Sequence, residues 1–171
     1  ARRFFSPELA GQYAFVSLIG KVIIFVSSAI GKAMFPISTG NFENGKRDIV
    51  ILKKSLIIVL MMSLISLVFY ISIPELMIKI ISLGSNEYFG VANILFYLGL
   101  AYSLISLSYV IILFKLSQNK INKSVWLLPL FLIVQIILLS ILNKNLLEYS
   151  LATLFSSLLM FLYSIFLVIK K

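Results

Sequence analysis

In the apolar run LIGKVIIF a lysine, Lys21, stands where a hydrocarbon side chain is expected, and Lys32 interrupts the same stretch eleven residues later. Each residue of a helix turns ~100°, so positions seven or eleven apart share a face to within about 20°. Ser17, Lys21, Ser28 and Lys32 therefore form one polar stripe on an otherwise apolar helix. Two ammonium groups flanked by hydroxyls supply point charge and hydrogen bonds, the chemistry that holds an anion such as a phosphate. The chain contains no His and no Cys, which removes the commonest proton shuttle and all thiolate chemistry. The expectation is a binding stripe, with no catalytic residue, no metal, no cofactor and no enzymatic activity.

The elements that must carry this stripe follow from composition. Of 171 residues, 61% are hydrophobic and 12% charged, more apolar surface than one soluble core can hide. Runs 55–73, 91–114, 124–142 and 149–169 contain no charged residue, and at ~1.5 Å per residue they reach ~28 to 36 Å, enough to cross a hydrocarbon core of ~30 Å. A fifth span, about 13–35, is broken only by Lys21 and Lys32. The fold class is all-α, a polytopic membrane helix bundle of five spans in a single transmembrane domain over 1–171. The net charge of +9 does not gather into a basic stripe interleaved with aromatics, so nucleic acid is not an expected partner.

Basic residues instead report topology. Lys46, Arg47, Lys53, Lys54, Lys115, Lys120, Lys123, Lys170 and Lys171 fall on one side; Arg2, Arg3, Lys79 and Lys144 fall on the other. The positive-inside rule puts the first side and the C-terminus in the cytoplasm. The N-terminus is then outside, and the chain opens with Ala and lacks a signal-peptide core, so a fragment or processed chain is expected. Within the first span Lys21 lies ~12 Å from the outer end and ~21 Å from the inner one, further than a lysine stem snorkels. A central Lys costs ~2.5 to 3.5 kcal/mol on insertion scales, so the stripe is expected to face a hydrated, protein-lined cavity. An alternative reading tilts the helix and lets Lys21 reach the headgroups. Lys32, near the inner end, reads more simply as a snorkelling residue.

The connectors carry their own signals. Residues 38–54 hold Gly40, Asn41, Asn44 and Gly45 as turn formers, then a basic lead into a second helix that projects into the cytoplasm. Residues 73–84 place Pro74 where a short interfacial helix starts and Gly84 where it stops, with Glu75 and Lys79 four apart. Ser63, Ser66 and Tyr70, the face of Asn93, Tyr97, Leu104 and Ser108, and the face of Ser150, Thr153, Ser157 and Ser164 read as helix-packing surfaces. Gln135, the amide deep in the fourth span, either lines a pathway or bonds across helices. Trp126 and Tyr149 read as interfacial anchors, and Pro129 adjusts the start of its helix. All six acids, Glu8, Glu43, Asp48, Glu75, Glu87 and Glu148, lie in loops or near span ends, so no intramembrane carboxylate is available for proton or sodium coupling.

The segment SPELAGQYAFVSLIGKVIIFVSSAIGKAMFP, 6–36, resembles the region around the eighth helix of bacterial polysaccharide flippases of the multidrug/oligosaccharidyl-lipid/polysaccharide exporter superfamily. The likeness rests on Ser6, Pro7, Glu8, Ala10, Gly11, Tyr13, the central basic Lys21 and Pro36. FYISIPELMIKIISLGSNEY is similar to the family's ninth helix and external segment through Pro74, Glu75, Gly84 and Tyr88. The resemblance implies spans eight to twelve, most of the C-terminal lobe of a two-lobed flippase, with the N-terminal lobe of the same protein as a partner. It implies a multi-pass protein of the bacterial cytoplasmic membrane that moves undecaprenyl-pyrophosphate-linked oligosaccharide for O-antigen or other polysaccharide biosynthesis. Membrane lipids and the lipid-linked glycan are the implied partners, with Lys21, Ser17, Ser28 and Lys32 on the substrate. Alternatives are an ion-coupled drug or metabolite exporter of the same superfamily and a non-transporting membrane assembly subunit; a membrane-bound transferase is more distant, since the loops carry no catalytic constellation.

Overall fold

The computed structural model describes residues 1–45, 49–83, 88–118 and 128–169. Among these the chain is helical: α1 (Pro7–Gly20), α2 (Val22–Glu43), α3 (Ile49–Ser72), α4 (Pro74–Ile81), α5 (Ile94–Ser117), α6 (Leu128–Ile141) and α7 (Leu146–Ile169), with a 3₁₀ turn at Phe89–Val91 before α5. Joined end to end, α1 and α2 make one apolar run of 37 residues; with α3, α5 and α7 it is long and apolar enough to cross a membrane, and α6 is a shorter apolar helix. The chain is an all-α, multi-pass membrane helix bundle.

Local chemistry sets most boundaries. Ser6 caps α1 by accepting from the Leu9 N–H, Pro7 takes the first position where no N–H is needed, and Glu8 sits in the first turn. The first span therefore begins six residues before Tyr13. It also continues well past Phe35, because Pro36 lies inside α2 and not at its end. A membrane helix tolerates the lost bond where neighbouring helices resupply the freed backbone groups. Gly40 and Asn41 remain helical too; the helix stops only at Asn44, whose side-chain amide donates to the Gly40 carbonyl at 2.9 Å, and at Gly45 with φ of 74°. That left-handed residue is the usual helix terminator.

The basic lead at Lys53 and Lys54 is part of α3, as the sequence suggests. The short helix α4 starts at Pro74 with Glu75 in its first turn and Lys79 in its last; it ends at Ile81, followed by Leu83 at φ of 54°, while Gly84 lies outside the described residues. Only Ile78 of α4 is buried, and Leu76, Ile80 and Ile81 are exposed, the one-sided pattern of a helix lying along the headgroup layer. Before α7, the Asn145 side chain accepts from the Glu148 N–H at 2.8 Å and caps the helix. Trp126 and most of the turn 117–124 lie outside the described residues.

The bundle is organised around α5, which packs against α1, α2, α3 and α7. Two thirds of its most apolar stretch is buried (67%), against 28% for α3 and 33% for α7, so α5 is the central post. By contrast α6 buries no residue and packs mainly on α7. Close approach to α5 depends on glycine. A Cβ on Gly99 would fall 2.5 Å from the Tyr70 ring of α3, and one on Gly31 of α2 would fall 2.8 Å from the Tyr109 ring. Toward the far end, the Ser38 and Ser117 hydroxyls hydrogen-bond at 2.7 Å across α2 and α5.

Many other buried hydroxyls bond to their own helix: Ser103 to Gly99, Ser150 to Leu146 and Thr153 to Tyr149, each at 2.8 to 3.1 Å. These residues serve close packing, as their pattern suggests. Ser63 and Ser106 are buried with no hydrogen-bond partner among the described residues. An unmet buried hydroxyl costs about 1 to 3 kcal/mol, so Ser63→Ala and Ser106→Ala are each expected to unfold no earlier than the parent in detergent. Gly99→Ala is expected to lose about 1 to 3 kcal/mol by overpacking against Tyr70. The exposed Gly11→Ala, with nothing within 4 Å of the new Cβ, should be neutral or better. Thermal unfolding followed by size-exclusion recovery measures all four.

Candidate functional site: the Lys21 junction

Lys21 is the joint between α1 and α2. It closes one helix and opens the next, at φ of −67° and ψ of −11°. Its N–H donates to the Ser17 carbonyl at 3.0 Å, and its own carbonyl accepts from Ile24 at 2.9 Å, a tighter i to i+3 closure than the α ladder. Such a step loosens the ladder and calls for outside support. Two tyrosines supply it. The Tyr70 hydroxyl, from α3, donates to the Ile19 carbonyl at 2.9 Å in a buried contact. The Tyr102 hydroxyl, from α5, hydrogen-bonds the buried Ser17 hydroxyl.

Tyr102 can approach because residue 20 is glycine, where a Cβ would sit 2.9 Å from the ring. The Lys21 ammonium stands 5.9 Å from the centroid of that ring, at the outer limit of a cation–π contact. The tyrosine thus lies beside the amine while its hydroxyl holds Ser17. Lys21 itself is on the exposed surface, with Val22, Phe25 and Val26 also exposed beside it.

The four stripe residues divide. Ser17 is buried under Tyr102, and Ser28 is half-buried with its hydroxyl donated to the Phe25 carbonyl at 2.8 Å. Lys32 is exposed, on the same side of the helix as Lys21. The described helices do not enclose the two lysines in a cavity of their own; the lysines face outward from the bundle. Ser17 leaves the stripe because the tyrosine of the neighbouring helix covers it, an effect no single-helix periodicity contains.

Depth follows from register. Gly20 meets Tyr102, Gly31 meets Tyr109 and Ser38 meets Ser117, so α2 and α5 run parallel. Tyr102 is eight residues into α5, so the junction lies roughly 12 Å below the start of a span that is roughly 36 Å long. The Tyr13 and Tyr149 rings meet edge to face with centroids 5.1 Å apart, and eight residues beyond them stand Lys21 and Ser157, at about one depth on α2 and α7. Tyr149, read from the sequence as an interfacial anchor, is buried among Phe5, Tyr13 and Phe4 and is a packing hub.

Tyr70 was visible in the sequence only as one member of a packing stripe, and Tyr102 carried no reading at all. The available signal was a phenol in the middle of an apolar span, since a buried tyrosine hydroxyl must find a partner. No family model, curated protein or solved structure matches the chain.

Removing either end of the Ser17–Tyr102 bond, by Ser17→Ala or Tyr102→Phe, is expected to cost about 1 kcal/mol, and the double variant no more than the worse single one. A coupling of zero in that thermal-stability cycle would show that the bond does not brace the joint.

Proposed function

We propose that the chain is part of a flippase that carries undecaprenyl-pyrophosphate-linked oligosaccharide across the bacterial cytoplasmic membrane, with Lys21 attracting the anionic headgroup. The observation that carries this reading is an exposed ammonium, steadied by the Tyr102 ring, at a depth where lipid would charge ~2.5 to 3.5 kcal/mol for it. Such a face is stable against water and an anion, or against another protein surface, and not against acyl chains. In this reading the exposed side of α2 forms one wall of a hydrated chamber whose other wall is the N-terminal lobe. Lys21 and Lys32 give two point charges on that wall, and Ser28 adds a hydroxyl beside them. The described acids Glu8, Glu43, Glu75 and Glu148 are all at helix ends, so they do not neutralise the wall.

The mechanism requires no bond to be made or broken. The diphosphate exchanges part of its hydration for the lysine charges, the lipid tail stays among the acyl chains, and rocking of the two lobes turns the chamber from the cytoplasmic side, where the C-terminus lies, to the outer side. Ser17 has a supporting role here: its hydroxyl fixes Tyr102, and Tyr102 fixes the amine.

Two experiments test the reading. Because the chain has no cysteine, Ala29→Cys on the lysine face is expected to react in membranes with a water-soluble maleimide, and Ser27→Cys, buried against the bundle, is not. Equal inertness of both would mean the lysine face is dry. In cells, Lys21→Ala is expected to reduce delivery of lipid-linked glycan to the outer leaflet at least ~10-fold, about the 1.4 kcal/mol that one charge-assisted contact supplies, while Lys21→Arg retains it and both reach the membrane normally. Undiminished delivery in Lys21→Ala rejects the role.

A further inference from the structure

A cleft away from the Lys21 junction lies where α6 meets α5 and α7. The helices α5, α6 and α7 enclose a cleft of about 310 Å³ lined by Ile105, Phe131, Gln135, Ser156, Ser157 and Met160, among others. This is the lower end of the ~300 to 1,000 Å³ range of small-molecule sites. All three walls belong to apolar helices, and α6, which buries no residue, separates the cleft from the surrounding bilayer on one side. The cleft opens to the outside between these apolar helices, which suits an amphiphile of the acyl layer.

The polar atoms in the cleft specify the occupant further. Gln135 sits at the middle of α6, seven residues after Leu128 and six before Ile141, roughly 9 to 10 Å from either end of the described helix. It takes no hydrogen bond from another described residue. The Ser156 and Ser157 protons are already given to the Thr153 and Leu154 carbonyls, at 2.9 and 2.7 Å. Their oxygens are left as acceptors, while the Gln135 amide offers both a donor and an acceptor. A hydroxyl fits this set: it donates to a serine oxygen and accepts from the amide N–H. The named lining residues carry no charge, so a charged group has no counterion there and would bear its full desolvation cost.

We infer that the α5–α6–α7 cleft binds a neutral long-chain alcohol drawn laterally from the bilayer, its chain against Phe131, Ile105 and Met160 and its hydroxyl between Gln135 and the two serines. The inference stands apart from the flippase reading, since it uses neither lysine.

The test uses the full chain in phosphatidylcholine vesicles with two probes: a long-chain alcohol carrying a diazirine in its chain, and the matched hydrocarbon without the hydroxyl. The alcohol is expected to label α6 and α7 residues around the cleft, and unlabelled alcohol to compete. Labelling should fall roughly fivefold in Gln135→Leu, the worth of one net hydrogen bond, with no change for the hydrocarbon. Met160→Trp keeps Gln135 but fills the cleft, so it should also remove alcohol labelling, and it decides the matter if Gln135→Leu does not fold. Equal labelling by both probes, unaffected by either substitution, would reduce the cleft to ordinary lipid contact and overturn the inference.

Discussion

The structure depends on tyrosine rings set into glycine notches. Tyr70 lies against Gly99, Tyr102 against Gly20 and Tyr109 against Gly31, and each pair draws α5 onto a neighbour at backbone distance. In lipid there is little hydrophobic drive between helices, so association rests on such close packing and on the hydrogen bonds it permits. Two of the three rings do more than pack. Tyr70 reaches across to the Ile19 carbonyl and Tyr102 to Ser17, so the same notches that fasten α5 also hold the step in the ladder at Lys21. The charged residue is thus located by contacts made entirely by uncharged ones.

This arrangement explains what the sequence could and could not disclose. Five apolar spans were legible because the bilayer thickness sets a length that composition alone reveals, and the helix start at Pro74 and the turn at Asn44–Gly45 were legible because they act through neighbours in sequence, whereas the Ser6 cap, ahead of the expected start, was not read. Pro36, Gly40 and Asn41 misled for the converse reason: they are helix breakers in water, and inside an apolar bundle the backbone has no better partner than the helix.

The candidate site was legible by half. Spacing put Lys21, Ser28 and Lys32 on one side of a helix, and they are on one side. It could not know that Tyr102, eighty-five residues after Ser17, would cover it, nor that Tyr149 would pack on Phe5 and Tyr13. Both contacts join aromatic residues to partners distant in sequence, and neither leaves a trace in local periodicity. Gln135 was correctly singled out as a choice between pathway and crosslink; the crosslink is not made among the described residues, and the amide faces a cleft.

One consequence follows from Pro36. A helix whose proline cannot donate to the Lys32 carbonyl has a rung missing one turn below that lysine and about four turns below Lys21, and a rod yields where a rung is gone. Bending of α2 is therefore easiest over residues 32–36, between the notch that seats Tyr109 on Gly31 and the Ser38–Ser117 bond. The yielding point lies between two fastenings to α5, so flexure there leaves the Tyr102-braced joint at Lys21 in place.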